Sequence, residues 1–383
     1  MRILFIAQGD SPHTTRTLLN TRNYYPDAAF DVFRSSPFAY SSDLSFMATC
    51  HDNGSPLPSP GNLYWNELFI NPVTPWSASP SMLANLLRRE SYDFIHVLAM
   101  QEGAYLLRKA LEEPGVSVKN AKVLFSLWGN DLYYFSRIPG HNEEIRKALP
   151  LCDRLHADAE RDVELARGMG YAKEILPSIS AIASAEILRQ IVRNNFSNRS
   201  RPTQRKRIIM RGTYPVRGRG FMGLAAYQTL PVSLKKAFQV ILLVPDCIDI
   251  ATAYTLTDCQ PVAAMKQWQH PNVVLQIMSE SRAVVSLNIT DGTPQMYWEA
   301  ASTGCYPIFS KDTGLASLTQ KVGNGSNIAL VDPNDVRSIA AALEQILTDD
   351  ALVDAAAACN EAVLNQTQSR ENMATLFNAM YNS

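Results

Sequence analysis

Short apolar runs alternate with segments whose apolar positions recur every three or four residues, almost from one end of the chain to the other. The runs predict strands buried on both faces, and the periodic segments predict amphipathic helices that cover them. Their alternation predicts parallel sheets in an α/β arrangement. In the first half, strands are expected at 2–7, 93–99, 122–128 and 153–157, with helices over Ser81–Glu90 and Gly103–Leu111 between them. In the second half, strands are expected near 207–211, 238–244, 272–277, 283–287, 306–309 and 327–331, followed by an Ala-rich helix near 339–362. The tail from Ser369 to Tyr381 has the spacing of an amphipathic helix. Residues 34–80, rich in Ser, Pro and aromatics, have weak periodicity and read as an irregular insertion lining a cleft.

The stretch 193–207 is polar, basic and aperiodic, so it marks the expected domain boundary. The division is then 1–200, 201–367 and a terminal helix over 368–383. Its basic residues could meet anionic lipid headgroups, but a solvated linker is the favoured reading.

Composition narrows the function. Lys and Arg number 35 against 36 Asp and Glu, giving a net charge of -1 and no basic footprint for nucleic acid. No apolar run reaches the roughly 18 residues needed to cross a bilayer. Met1-Arg-Ile-Leu-Phe-Ile-Ala reads as a strand rather than a signal segment, so a cytoplasmic protein is expected. The six cysteines lack metal-ligand spacing and read as reduced thiols. His51, His141, His156 and His270 form no ligand cluster, and His96 sits in an apolar strand, so no metal site is expected.

The stretch from Ala283 to Ser310 is the richest in chemistry. It reads as strand, acidic loop, helix, glycine stop and strand, with Thr293 as N-cap, Pro294 as first helical residue and Gly304 as the stop. A helix start offers unpaired N–H groups and a positive dipole end, which suit a phosphate. Asp291 and Glu299 place two acids beside that cradle, suited to the hydroxyls of a sugar and a ribose. A short strand ending at Arg211 feeds a turn carrying Arg217 and Arg219, guanidinium groups suited to a diphosphate.

This pattern resembles the donor-sugar motif of retaining, family-4-like glycosyltransferases of the GT-B fold, with Asp291 where relatives usually carry Glu. The resemblance implies two doubly wound Rossmann-like domains facing a central cleft, with the last helix crossing back to the first domain. It implies that Arg211 and Arg219 hold the donor diphosphate, with Arg217 in the same turn and the N–H groups from Gly292 through Thr293 and Pro294 to Gln295 at the helix start. Asp291 would take the sugar hydroxyls and Glu299 the ribose.

The first loop, with Gly9, Asp10 and His13, resembles the family's loop that approaches donor phosphate and acceptor; capping alone would also explain Asp10. In Leu124–Tyr133, Trp128 stands where many relatives carry His. Asp131 is a candidate ligand of a sugar or acceptor hydroxyl, or else a cap of the following turn. Glu160, with Arg161 and Asp162, falls at an acidic helix start that orients acceptor or phosphate, or simply forms ion pairs on a solvated face.

The activity implied is transfer of a sugar from a nucleotide-diphosphate sugar to the hydroxyl of a glycan or glycolipid acceptor, with retention. No metal or other cofactor is implied. The setting is surface polysaccharide or glycolipid synthesis, with peripheral contact at the inner membrane face. Two alternatives stay open: a nucleotide-sugar epimerase of the same fold, and a non-catalytic partner subunit.

Overall fold

The computed structural model describes residues 1–8, 12–35, 80–118, 120–195, 200–212, 215–243, 263–265, 271–322 and 326–382. The insertion expected over 34–80 lies almost wholly outside the described residues. The chain divides into two compact units, one comprising Met1–Ile182 and Glu371–Ser383, the other Ala183–Arg370. The polar stretch at 193–207 follows this division because the helix Ala185–Asn195 belongs to the second unit. Ala183, Ala185 and Leu188 lie in that unit's core with Leu275 and Trp298.

The first unit holds a parallel sheet of β1 (Arg2–Ala7), β2 (Ala29–Arg34), β3 (Phe94–Leu98), β4 (Lys122–Leu127), β5 (Arg154–Ala157) and β6 (Glu174–Ile175), in the order β2-β1-β3-β4-β5-β6. Side chains alternate across it. Leu4 and Ile6 join one core with Val97, Phe125 and Leu107. Ile3 and Phe5 join another with Phe30, Leu124 and Phe377. The tail helix Arg370–Tyr381 completes this second layer by burying Met373, Leu376, Phe377, Met380 and Tyr381, a helical stripe. Arg154 closes its end, with Nη1 donating to the carbonyls of Met380 (3.1 Å) and Asn382 (2.5 Å).

The second unit repeats the plan with β7 (Arg207–Arg211), β8 (Gln239–Leu243), β9 (Ala263–Met265), β10 (Ala283–Ser286), β11 (Tyr306–Ser310) and β12 (Ala329–Val331), in the order β12-β11-β10-β7-β8-β9. All its pairings are parallel. Both sheets are doubly wound, as the alternation of elements implied.

Several local expectations change. Residues 272–277 lie in a helix, Pro271–Ser279, rather than a strand. Pro271 opens it, and Leu275 and Met278 are buried with Val274 and Ile277 packed beside them, so tertiary packing of one face outweighs the β-branched valines. The Ala-rich segment is two helices, Val336–Thr348 and Asp350–Thr367. They are separated at Asp349, whose carboxylate accepts the Leu352 N–H as N-cap of the second. Strand β2 escaped the sequence pattern because Asp31 interrupts it; that buried carboxylate is paired with Arg2.

Candidate functional site

In the second unit the chain runs from β7 outward to β9 and returns on the opposite side of β7 at β10. The carboxyl ends of β7 and β10 therefore flank a topological switch point, where open α/β sheets bind ligands. Arg211 closes β7 and Asp291 follows β10. Their side chains meet there, with Arg211 Nη1 donating to Asp291 Oδ2 at 2.8 Å. Both are largely enclosed, at 19% and 24% exposed.

The loops around this pair are tied together by their backbones. The Ile289 N–H donates to the Arg217 carbonyl (2.9 Å), and the Gly314 N–H to the Gly292 carbonyl (2.8 Å). Asn288 Oδ1 accepts from both the N–H and the hydroxyl of Thr290, each at 2.9 Å, which shapes the turn before Asp291. After β7, Arg217 belongs to the short helix Pro215–Gly218. Arg219 is then left-handed, with φ 53°, and leads into the helix Gly220–Gln228. Gly220 allows this path: a Cβ there would lie 2.7 Å from the Arg211 carbonyl oxygen and 2.8 Å from Gly212 Cα. The Arg219 backbone is thereby pressed against the end of β7, and its buried Nε has no hydrogen-bond partner among the described residues.

The helix after Asp291 spans Gln295–Thr303 and ends at Gly304, left-handed with φ 73°. It begins one residue later than expected. Pro294, with extended ψ of 131°, occupies the cap position instead of Thr293. Thr293 and Gly292 are buried in the loop. Both amide atoms of Gln295 are buried without a partner among the described residues, at the positive end of the helix dipole. Glu299 is 6% exposed, one turn further along. The buried Ser286 hydroxyl at the end of β10 also has no partner among the described residues. Its position in an apolar run made it look like core, so no sequence signal singled it out.

In the first unit the corresponding switch point lies between β1 and β3. Gly9 and Asp10, the expected residues of the loop after β1, lie outside the described residues. His13, on the helix Pro12–Tyr24, packs its ring 5.2 Å from that of the half-buried Trp128. Asp131 is 1% exposed and its Oδ2 accepts the Trp128 N–H at 2.7 Å. Its carboxylate thus caps the turn that carries Trp128. The Asp131 carbonyl accepts from Gln101 Nε2 at 3.0 Å.

Gln101 sits in a π-helical turn, Met100–Ala104, entered through Ala99 at φ 72°. Gly103 lets that turn close on the sheet, since a Cβ would lie 2.6 Å from Val97 Cγ1. Wide turns and positive-φ residues of this kind concentrate at functional sites. Nothing in the local sequence, an apolar strand followed by a helical pattern, disclosed it.

Glu160 is exposed in the first turn of the helix Glu160–Gly168. Arg161 spans from the Gly129 carbonyl (3.2 Å) to the buried Asp162 (3.1 Å). Burial pushes the Asp162 carboxyl up to about 6, against the opposing pull of Arg161. Among the described residues no group of three or more His, Cys, Asp or Glu side chains is arranged to hold a metal. No helix among them is long and apolar enough to cross a membrane.

The chain matches no model of a known protein family and no curated protein sequence. Solved structures do match. HepE of Anabaena in complex with UDP-glucose aligns over 99% of each chain at 13% identity, with a TM-score of 0.67. A UDP-forming α,α-trehalose-phosphate synthase of Burkholderia vietnamiensis aligns over 99% of this chain and 98% of its own, at 12% identity and a TM-score of 0.64. An α,α-trehalose 6-phosphate synthase of Burkholderia multivorans aligns over 99% and 95%, at 14% identity and a TM-score of 0.62. At such identities the likeness is one of architecture, and it extends over both sheets and the helices that cover them. The chain has the GT-B fold, as the resemblance in its sequence implied.

Proposed function

We propose that this protein is a glycosyltransferase that moves a sugar from a nucleoside-diphosphate donor to a hydroxyl acceptor with retention of configuration. The observation that carries the reading is the edge formed by Arg211, Asp291 and the start of the helix Gln295–Thr303 at a switch point. The UDP-glucose bound in HepE, a structure of the same fold, supports it. In the transition state the sugar gains oxocarbenium character and the departing diphosphate gains negative charge. Arg211, Arg219, the Gln295 amide and the first N–H groups of the helix would stabilise the diphosphate as donors held in place before reaction. Asp291 would face the sugar and Glu299 the ribose. Guanidinium groups and a helix dipole neutralise a leaving diphosphate without a metal, and we propose that none is required.

In the first unit, Trp128, presented by the Asp131-capped turn, and His13 would meet the acceptor, with Gln101 and Glu160 at the same edge. A glycan or glycolipid acceptor, a cytoplasmic setting with peripheral contact at the inner membrane face, and a part in surface polysaccharide or glycolipid synthesis complete the proposal. The test is mass spectrometry of the purified protein with a panel of nucleotide sugars, with and without acceptors. Release of a nucleoside diphosphate from one donor is expected, and Arg211→Ala and Glu299→Ala should abolish it while remaining folded. Full activity in either variant would refute this site, and no turnover or nucleotide binding by wild type would point to a non-catalytic subunit.

A further inference from the structure

We propose that the Arg211–Asp291 ion pair makes the site prefer an intact sugar-nucleotide donor over the nucleoside diphosphate left after transfer. The inference rests on the donor-site reading above and assigns Asp291 a discriminating role within it.

The pair is largely enclosed, so its charges are screened less than those of a surface pair. Arg211 Nη1 donates to Oδ2 of the carboxylate. The carboxylate is also held in place. Ile289 and Gly292, on either side of Asp291, are tied to Arg217 and Gly314 through the backbone. A diphosphate approaching Arg211 therefore meets a fixed negative charge on the same guanidinium.

The two ligands feel that charge differently. In a sugar nucleotide the terminal phosphate is esterified, whereas the free diphosphate carries about one further negative charge at neutral pH, which Asp291 repels. The sugar, in turn, brings hydroxyl donors for which a carboxylate oxygen is a strong acceptor. Repulsion of the product and attraction of the donor act in the same direction. A carboxylate that served only to orient Arg211 would weaken or strengthen both ligands together.

The experiment is titration calorimetry of wild type and Asp291→Asn with UDP-glucose and UDP. GDP-mannose with GDP and ADP-glucose with ADP are the further pairs if the first does not bind. Asn keeps a hydrogen bond to Arg211 and removes the charge. The variant should bind the nucleoside diphosphate about tenfold more tightly while gaining nothing on the sugar nucleotide, so that the affinity ratio shifts about tenfold or more. Wild type and variant are compared at one ionic strength, because salt screens the arginines' attraction for the free diphosphate as well as its repulsion by Asp291. Should Asp291→Asn fail to fold, Asp291→Ser removes the same charge and is titrated in its place. An unmoved ratio in the neutral variant would overturn the inference while leaving the donor site standing. Absence of binding by wild type to every pair would overturn both.

Discussion

Four buried polar groups in the first unit form a hydrogen-bond chain whose direction can be deduced, and it makes stability depend on pH. Tyr381 O lies 2.5 Å from His96 Nδ1, and His96 Nε2 lies 2.7 Å from Ser126 Oγ. Ser126 Oγ lies 3.1 Å from His156 Nδ1, and His156 Nε2 lies 2.8 Å from the Ile179 carbonyl. A carbonyl only accepts, so His156 carries its proton on Nε2 and its Nδ1 accepts from the Ser126 hydroxyl. The Ser126 oxygen then accepts from His96 Nε2–H, and His96 Nδ1 accepts from the Tyr381 O–H. Both imidazoles are neutral in this arrangement, and an added proton turns an acceptor into a donor facing another donor.

Burial lowers both histidines, His156 from 6.5 to about 4, although the Ile179 carbonyl opposes the change; His96 is likewise held well below 6.5, with His156 adding to the effect. The unfolded chain, with histidines near 6.5, binds more protons than the folded one below that pH. Stability is therefore complete above about pH 7 and falls as the pH drops through 6.5 toward 4. For His156 alone the loss is about 2 kcal/mol by pH 5 and about 3 kcal/mol at the lower end. Ser126→Ala breaks the chain at its middle and strands one group on each imidazole, which should cost about 2–4 kcal/mol. Hydrogen exchange on peptides from β3, β4 and the tail helix, corrected for intrinsic rates, measures both effects. Opening free energies that stay within about 0.5 kcal/mol between pH 7 and pH 5, or on Ser126→Ala, would refute the reasoning.

Two further expectations concern the turn after β7. Gly220→Ala should destabilise the second unit by about 1–3 kcal/mol and weaken diphosphate binding, since its Cβ would displace the backbone of Arg211 and Gly212; an unchanged melting temperature and titration would contradict this. Arg219→Gly should leave stability within about 1 kcal/mol of wild type, because glycine relieves the left-handed backbone while loosening the unfolded chain. Its diphosphate affinity should nevertheless fall about tenfold or more, and a titration that finds no loss would remove Arg219 from the site.

Much of this architecture was legible in local pattern. The apolar runs beginning at Arg2, Lys122, Arg207, Ala283 and Tyr306 are strands buried on both faces, and such runs have few other stable placements. Gly304 ends its helix in the conformation that glycine adopts most readily. Ambiguity arose where local preference and packing disagree. Val273 and Val274 favour a strand by propensity, yet a helix opening at Pro271 buries Leu275 and Met278 in one stripe. Asp31 broke the pattern of β2 because its partner, Arg2, lies in another strand.

The sequence by itself determined the doubly wound α/β plan and the candidate chemistry at residues 207–220 and 283–310, because strand and helix periods and turn residues act over a few neighbours. Only the tertiary structure decided which distant residues meet. Arg211 and Asp291 are 80 positions apart and meet because β10 returns beside β7. Asp131 accepts the Trp128 N–H and so caps the turn that carries Trp128. The buried Tyr381–His96–Ser126–His156 chain joins three strands to a helix at the far end of the sequence. Each of these depends on which distant groups become neighbours, a choice made by the pairing of strands and the shared burial of apolar faces rather than by any local segment.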